Sequence, residues 1–509
     1  MKSFKAFTYA ALLSLSGLAL LSCEDSLNIS PEARNSVEDF YQTEADVNQG
    51  VIAIYSNCLT LPTNSNWNMS EMRADNVVVN VALNVQRDYA DINGFRATSQ
   101  TGQFQVTWSN LYQIIYRANT VLDRITSFNF VRVPQFQAEA RFLRALAYFD
   151  LVRYWGEVPL VSKPLTITEA KITPRSPVTD VYAFIIEDLQ FAAANLPDTY
   201  PLVSNVAVDK GRATKWAAKA LLGKVYMTMY GYPLKQADKL ALAKAELGEV
   251  VNQIGKTTSV PDLSPDFKAI FQSAGDNRYS IFEIQYMSGT GGIGSQIPSD
   301  MAFQFPSQWS AFQPFGPDAT LNPNLFDAGW PKADQRKAAT LDSGYVDTRT
   351  NARSGRTQFT KYLEKGTTAP TGQRDYPNNF HLIRVEDIML LYAEALNEEV
   401  SDGAQVPAQA LTLLNRIRTR AKVANLVSMS KADFRLALER ERRWEFAAEG
   451  IRWHDLVRTG RAIPVMNQFI KDNGIRLARE LKETDLLFPV PLQELQINPG
   501  FWKQNEGYL

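Results

Sequence analysis

The densest run of ionisable side chains in this 509-residue chain is Glu439-Arg440-Glu441-Arg442-Arg443-Trp444-Glu445, continuing to Glu449-Gly450 and Arg452-Trp453-His454-Asp455. Glu441, Glu445 and Glu449 stand at i, i+4 and i+8, which puts their carboxylates on one helix face. Two of them, or one with Asp455, could form the acid/base pair of a glycoside hydrolase. The interleaved arginines argue otherwise, because they keep neighbouring carboxylates ionised and suit a salt-bridge lattice better than a general acid. Gly450 reads as the C-cap of that helix. No catalytic residue is assigned. Two histidines, His381 and His454, are present, and neither has an evident partner for a triad. With two cysteines, Cys23 and Cys58, so few soft ligands exclude most zinc, haem and iron–sulfur sites. No cofactor or metal is expected.

Two nucleotide-like motifs fail on context. Gly289-Thr-Gly291-Gly-Ile-Gly294 fits G-x-G-x-x-G, but Ser-Gln-Ile-Pro298 follows where the fingerprint needs a helix N-terminus. Gly255-Lys256-Thr257 resembles the end of a phosphate loop, yet Val250 stands where the first glycine belongs and a helical stretch precedes it.

Aromatic residues offer a different chemistry. Residues 301–330 hold Phe303, Phe305, Trp309, Phe312, Phe315, Phe326 and Trp330, with Asp318 and Asp327 as the charged residues and Pro306, Pro314, Pro317 and Pro323 stiffening the backbone. Sugars present apolar C–H faces and a hydroxyl rim, so stiff loops carrying rings beside amides complement them. Trp309, flanked by Gln308 and Ser310, is the ring expected to be exposed, with Phe312 and Phe315 beside it. Phe303, Phe305 and Phe326 are expected to plug the segment onto a core. A second candidate is Asn64-Ser-Asn66-Trp67-Asn68, followed by Arg73, Asp75 and Asn76. Trp67 could stack on a sugar while Asn68, Arg73, Asp75 and Asn76 hold its hydroxyls. The same residues could equally form a helix-linking turn with Asp75 and Asn76 as local caps.

These candidates need a scaffold. From 103 to 255 the chain reads as paired amphipathic helices. Trp108, Leu111, Ile115 and Leu122 form one stripe, Pro134 opens a helix through Tyr154, and Tyr182 to Leu196 ends at Pro197. A further pair runs from Trp216 to Met229 and from Leu240 to Ile254, with Leu222-Gly223-x-x-Tyr226 matching the first helix of a tetratricopeptide repeat. Ala217, Ala218 and Ala220 permit close helix approach. Helical patterns return at 384–397, 406–420 and 431–449. Between them, about 261–380, lies a Gly-, Pro- and aromatic-rich insert in which residues 280–286 alternate like a strand. The expected fold is mainly α: a tetratricopeptide-type helical-repeat scaffold (about 103–255 and 384–460) with a loop-rich, ligand-binding insert carrying a few short strands.

Composition and the N-terminus bound the setting. Hydrophobic residues make up 45% of the chain and aromatic ones 11%, enough for a large core. The 53 basic residues nearly cancel the 54 acidic ones, so no global field would hold nucleic acid. Lys2 and Lys5 precede an apolar stretch ending Leu20-Leu21-Ser22-Cys23, the pattern of a secretory signal with cysteine after the cut. Residues 1–22 are expected to be a lipoprotein signal peptide, Cys23 the lipidated residue and 23–35 a polar leader, with 36–509 a single folded domain. No later run reaches the ~18 apolar residues of a membrane helix, so a tether is expected and not a span.

The same residues resemble the SusD/RagB family. The resemblance is carried by the lipoprotein signal, Phe40-Tyr-x-Thr43-Glu44, the block Tyr148 to Leu160 (YFDLVRYWGEVPL), Arg384-x-Glu386 with Tyr392-Ala393-Glu394-Ala395, and Leu414-Asn415-x-Ile417-Arg418-x-Arg420-Ala421. The carboxylate–arginine block from Glu441 to Arg458 and the tail from Phe488-Pro489 through Asn505 to Tyr508 complete it. It implies an outer-membrane, surface-exposed lipoprotein without catalytic activity that binds nutrients, usually glycans, for a SusC-like TonB-dependent transporter. It also implies that the carboxylate–arginine block is a fold signature. Binding residues lie in the family's variable loops, so Trp67 and Trp309 rest on their own chemistry. A peptide or other non-glycan binder, a surface glycoside hydrolase and a purely protein-binding helical scaffold remain alternatives.

Overall fold

The computed structural model describes residues 40–79, 87–200, 202–203, 206–207, 209, 211–273, 278–289, 293–302, 321–323, 329–342, 357–364, 372 and 374–508. The chain divides into two compact units, Met1–Asn48 and Gln49–Leu509. In the first, Thr43 donates from its N–H and its hydroxyl to the Asp46 carboxylate, at 2.8 Å each, where helix α1 (Glu44–Cys58) begins. Everything below concerns the second unit.

The long helices are α2 (Gly102–Arg124), α3 (Val133–Trp155), α4 (Val178–Asn195), α5 (Lys215–Tyr230), α6 (Lys239–Val251), α7 (Val385–Glu399), α8 (Ala408–Arg420) and α9 (Lys431–Glu445), followed by the shorter α10 (Arg452–Arg458). Each helix from α2 to α7 packs on the next in chain order, and α9 packs on α7. That is the helical-repeat architecture expected from the spacing of apolar residues. Gly223 shows why the repeat needs a small residue: a Cβ there would lie 2.6 Å from Leu247 Cγ, so α5 could not approach α6 as it does. Helix α3 departs from a simple amphipathic stripe. Most of its residues are buried, because α2 and α4 cover opposite sides and Phe142 meets Phe282 of the insert's first strand at 5.0 Å. Its interior charge is matched: Arg144 donates twice to Asp188 of α4, at 2.8 Å each.

The stack continues across the insert, since α6 packs on α7 although more than a hundred residues separate them. Strands β1 (Val77–Val79), β2 (Ser280–Ile284), β3 (Leu321–Pro323) and β4 (Phe380–Arg384) explain how. Strands β2 and β4 pair antiparallel, with Phe380 opposite Ile284 and Arg384 opposite Ser280, so the insert leaves and re-enters at one neck. All five residues of β2 are buried, which corrects the alternating pattern expected there. Among the described residues the strands form only two-stranded ribbons.

The C-terminal tail closes the stack. Trp155 Nε1 donates to Pro489 O at 3.0 Å, Phe488 N to Tyr154 O at 2.8 Å, and Asn505 Nδ2 to both Trp155 O and Phe488 O at 3.0 and 2.7 Å. Two sequence blocks more than three hundred residues apart are thus one contact. Cys58 is buried and free, and burial pushes its thiol pKa up; Cys23 lies outside the described residues. No helix among the described residues is long and apolar enough to cross a membrane.

Candidate ligand-binding face

The stretch around Trp67 is no exposed loop. Residues Pro62–Glu71 form a π-helix, and Trp67, Asn68, Arg73, Asp75 and Asn76 are all buried, with 0–5% of their surface accessible. Each spends its chemistry internally. Trp67 meets the Phe359 ring edge-on at 5.7 Å, and Asn68 Nδ2 donates to Gln103 at 2.9 Å. Arg73 lies 3.6 Å over the Phe95 ring and donates to Ile92 O and Asp485 O at 3.0 Å each. Asp75 accepts from Arg452 Nε at 2.8 Å and faces Arg443 at 3.1 Å. Burial works against its charge, but the two guanidiniums win and bring its pKa to about 2. Asn76 bridges Glu71 and Arg443, at 2.9 Å to each. The expectation of a sugar platform here is therefore corrected: these groups have no open face, and Arg73, Asp75 and Asn76 each take a partner several hundred residues away.

What this block does is hold the insert. The short helix Ile297–Met301 packs against it, and the aromatic run departs directly from there. The chain returns at β3, which pairs antiparallel with β1, Val77 opposite Pro323 and Val79 opposite Leu321. Asn93 pins β1 in turn, donating to Met72 O and Val77 O at 2.9 Å each and accepting from Val79 N at 3.2 Å. The described residues on either side of 303–320 are thus held by this block and by β1. Trp309, Phe312 and Phe315, like Phe303, Phe305 and Phe326, lie outside the described residues. Trp330, just beyond, is buried and stacks on Trp444 at 6.2 Å with planes 12° apart. Inside the near end, burial raises the Asp300 carboxyl to about 6 against the pull of Arg374.

The carboxylate–arginine block is a buried lattice. Glu445 is contacted by Arg336, Arg384 and Arg420 at 3.0, 3.0 and 2.7 Å. Burial opposes its charge, yet the three guanidiniums hold its pKa far below the usual carboxylate range. Glu441 pairs with Arg336 and Arg418 at 2.7 Å each, and Glu449 with Arg384 and Lys361. Asp455 is held ionised against its burial by Arg442 and Arg458. No general acid is arranged among these four, as the interleaved arginines implied.

One detail differs from expectation. Helix α9 stops at Glu445 with Phe446 as its C-cap, not at Gly450. The chain unwinds because buried Glu71 accepts from Ala448 N and Gly450 N at 2.9 and 3.0 Å, while Lys361 donates to Glu445 O and Ala447 O. Gly450 has φ +74°, and a Cβ on it would lie 2.5 Å from Asn66 O, so this residue locks the π-helix to the lattice.

The histidines also find partners. His381 Nδ1 contacts both Ser280 Oγ and Glu283 Oε2 across the β2–β4 neck. Serine and carboxylate meet the same ring nitrogen, so they compete for it instead of forming a relay. His454 packs on Tyr154 at 5.0 Å, and burial drives its pKa well down. A cavity of about 930 Å³ lies where α5, α7, α9 and α10 converge. Its guanidiniums are already matched, Arg458 with Glu394 and Arg461 with Glu439.

Known proteins share this arrangement. Residues 26–227 match a family model described as starch-binding associating with outer membrane, and residues 332–508 match that of the SusD family. A SusD-like protein of Formosa agariphila is 27% identical over 100% of both chains. The crystal structure of a SusD homologue from Bacteroides thetaiotaomicron shares the fold, with TM-score 0.76 and 22% identity over 94% of this chain and 100% of that one. A laminarin-binding SusD-like protein is 26% identical with TM-score 0.71, covering 92% of this chain and 100% of its own. The two family matches take in the early helices, the lattice and the clasped tail, and the chain belongs to the SusD/RagB family.

Proposed function

We propose that this protein is a surface glycan-binding lipoprotein that captures an oligosaccharide or polysaccharide and passes it to a SusC-like TonB-dependent outer-membrane transporter. Residues 1–22 are removed as a signal, Cys23 carries the lipid, and 23–35 form the leader. The anchor holds the body at the outer membrane without a span. The observation that supports this reading is at the flanks of the ring-rich segment, where helix Ile297–Met301 packs on the π-helical block and Leu321–Pro323 pairs with β1. Trp309, Phe312 and Phe315 are its candidate stacking residues. The laminarin-binding relative puts laminarin first among glycans to try.

Affinity gel electrophoresis of protein lacking residues 1–23 against a polysaccharide panel tests this. Retardation by a glycan, relieved roughly twofold to tenfold by Trp309→Ala as one stacked ring is lost, is the expected result. Absence of retardation by every glycan overturns it.

A further inference from the structure

A second aromatic site lies on the other flank of α2. A cleft of about 400 Å³ is lined by Trp108, Tyr112 and Tyr116 of α2 and by Ile497, Phe501 and Trp502 of the C-terminal segment. Its rings are fixed. Tyr112 Oη donates to Pro159 O at 2.8 Å and Trp502 Nε1 to Thr173 O at 3.0 Å. Trp108 stands 5.2 Å from Tyr112 and 6.2 Å from Trp502, with planes 38° and 52° apart. Tyr116, Ile497 and Phe501 nevertheless keep 54%, 50% and 43% of their surface exposed. Large apolar side chains gathered at one concavity, and left open to water, mark a binding site and not a core.

We propose that this cleft is a second saccharide-binding site, which rests on the glycan function above and extends it to long chains. Two features select a sugar. The volume falls within the ~300–1,000 Å³ of small-ligand clefts. The exposed rings of Tyr116 and Phe501, beside the fixed Tyr112 and Trp502 and over the buried Trp108, offer surface to pyranose C–H faces, and Ser109, Gln113 and Asn498 stand among them. A polymer long enough to reach two sites gains from both, while a short oligosaccharide engages one at a time. Two weak sites on one chain give avidity that neither has alone.

The test compares Tyr116→Ala/Phe501→Ala, Trp309→Ala and the combined variant by affinity gel with a retarding polysaccharide, and by titration with a short oligosaccharide of the same glycan. The cleft variant is expected to weaken polymer retention roughly threefold to tenfold, as one or two rings are lost, with little change in the oligosaccharide titration. The combined variant is expected to lose the retention that Trp309→Ala leaves. Polymer retention unchanged in the cleft variant, while Trp309→Ala weakens it, overturns the second site and leaves the glycan function standing. Unchanged polymer retention with loss of transporter co-purification overturns it in favour of a protein interface. Failure of the unsubstituted protein to bind any glycan overturns both.

Discussion

Around Trp67 the indole and every neighbouring amide and charge are turned inward, whereas around Tyr116 and Phe501 the rings are braced from behind and open in front. Both neighbourhoods combine aromatic rings with Asn, Gln and Ser, so composition alone ranks them together. What separates them is access. Trp67, Asn68, Asp75 and Asn76 are buried, and Asp75 is closed over by Arg452 from nearly four hundred residues away. In the cleft Ser109 and Asn498 are bonded to Gln105 and Lys171, yet the Tyr116 and Phe501 side chains stay open to solvent. A polar-aromatic cluster is thus a binding surface only where the fold leaves its rings exposed.

Substitutions can break or sharpen that contrast. The largest effect is expected at Trp67→Ala, which opens a cavity beside Phe359 and costs about 3–5 kcal/mol in a denaturant melt. Full stability with lost glycan binding would reverse the assignment of this block. Next comes Asp75. Its carboxyl is depressed to about 2, below its unfolded value near 4, so it stabilises the fold above that value and the contribution fades as pH falls from ~4 through ~2. Asp75→Asn is expected to lower stability at neutral pH by about 2 kcal/mol and to flatten this part of the acid limb, read from melting temperature against pH. Trp309→Ala is expected to leave the melt unchanged while weakening glycan affinity roughly twofold to tenfold. A stability change within about 0.5 kcal/mol is expected for Tyr116→Ala/Phe501→Ala, because surface substitutions forfeit little packing. A large drop there would show that the cleft is core.

The helices were legible because a 3.6-residue apolar period survives in any context, and Gly223 marked the tight crossing of α5 and α6. The end of α9 was not, because it is set by Glu71, which pulls the backbone of residues 448–450 out of the helix from a different part of the chain. The pairing of His381 with Ser280 was hidden for the same reason, the neck of the insert bringing together residues a hundred apart. In the candidate sites, ring content could be read, but ring exposure could not. Trp108 and Leu111 fit the core stripe of α2, and nothing local announced that Tyr112 and Tyr116 on the adjoining face would border a cleft completed by the last residues of the chain.

The neck formed by β2 and β4 has a consequence for how such proteins can change. Although the two strands lie side by side and α6 meets α7 directly, the chain between them is no detachable loop, because Arg336 and Lys361 complete the buried lattice around Glu445 and Glu449. Lengthening a flexible loop is cheap, about 0.6 kcal/mol for each doubling. Length can therefore be added between these fixed points, while Arg336 and Lys361 have to be kept for the lattice to close.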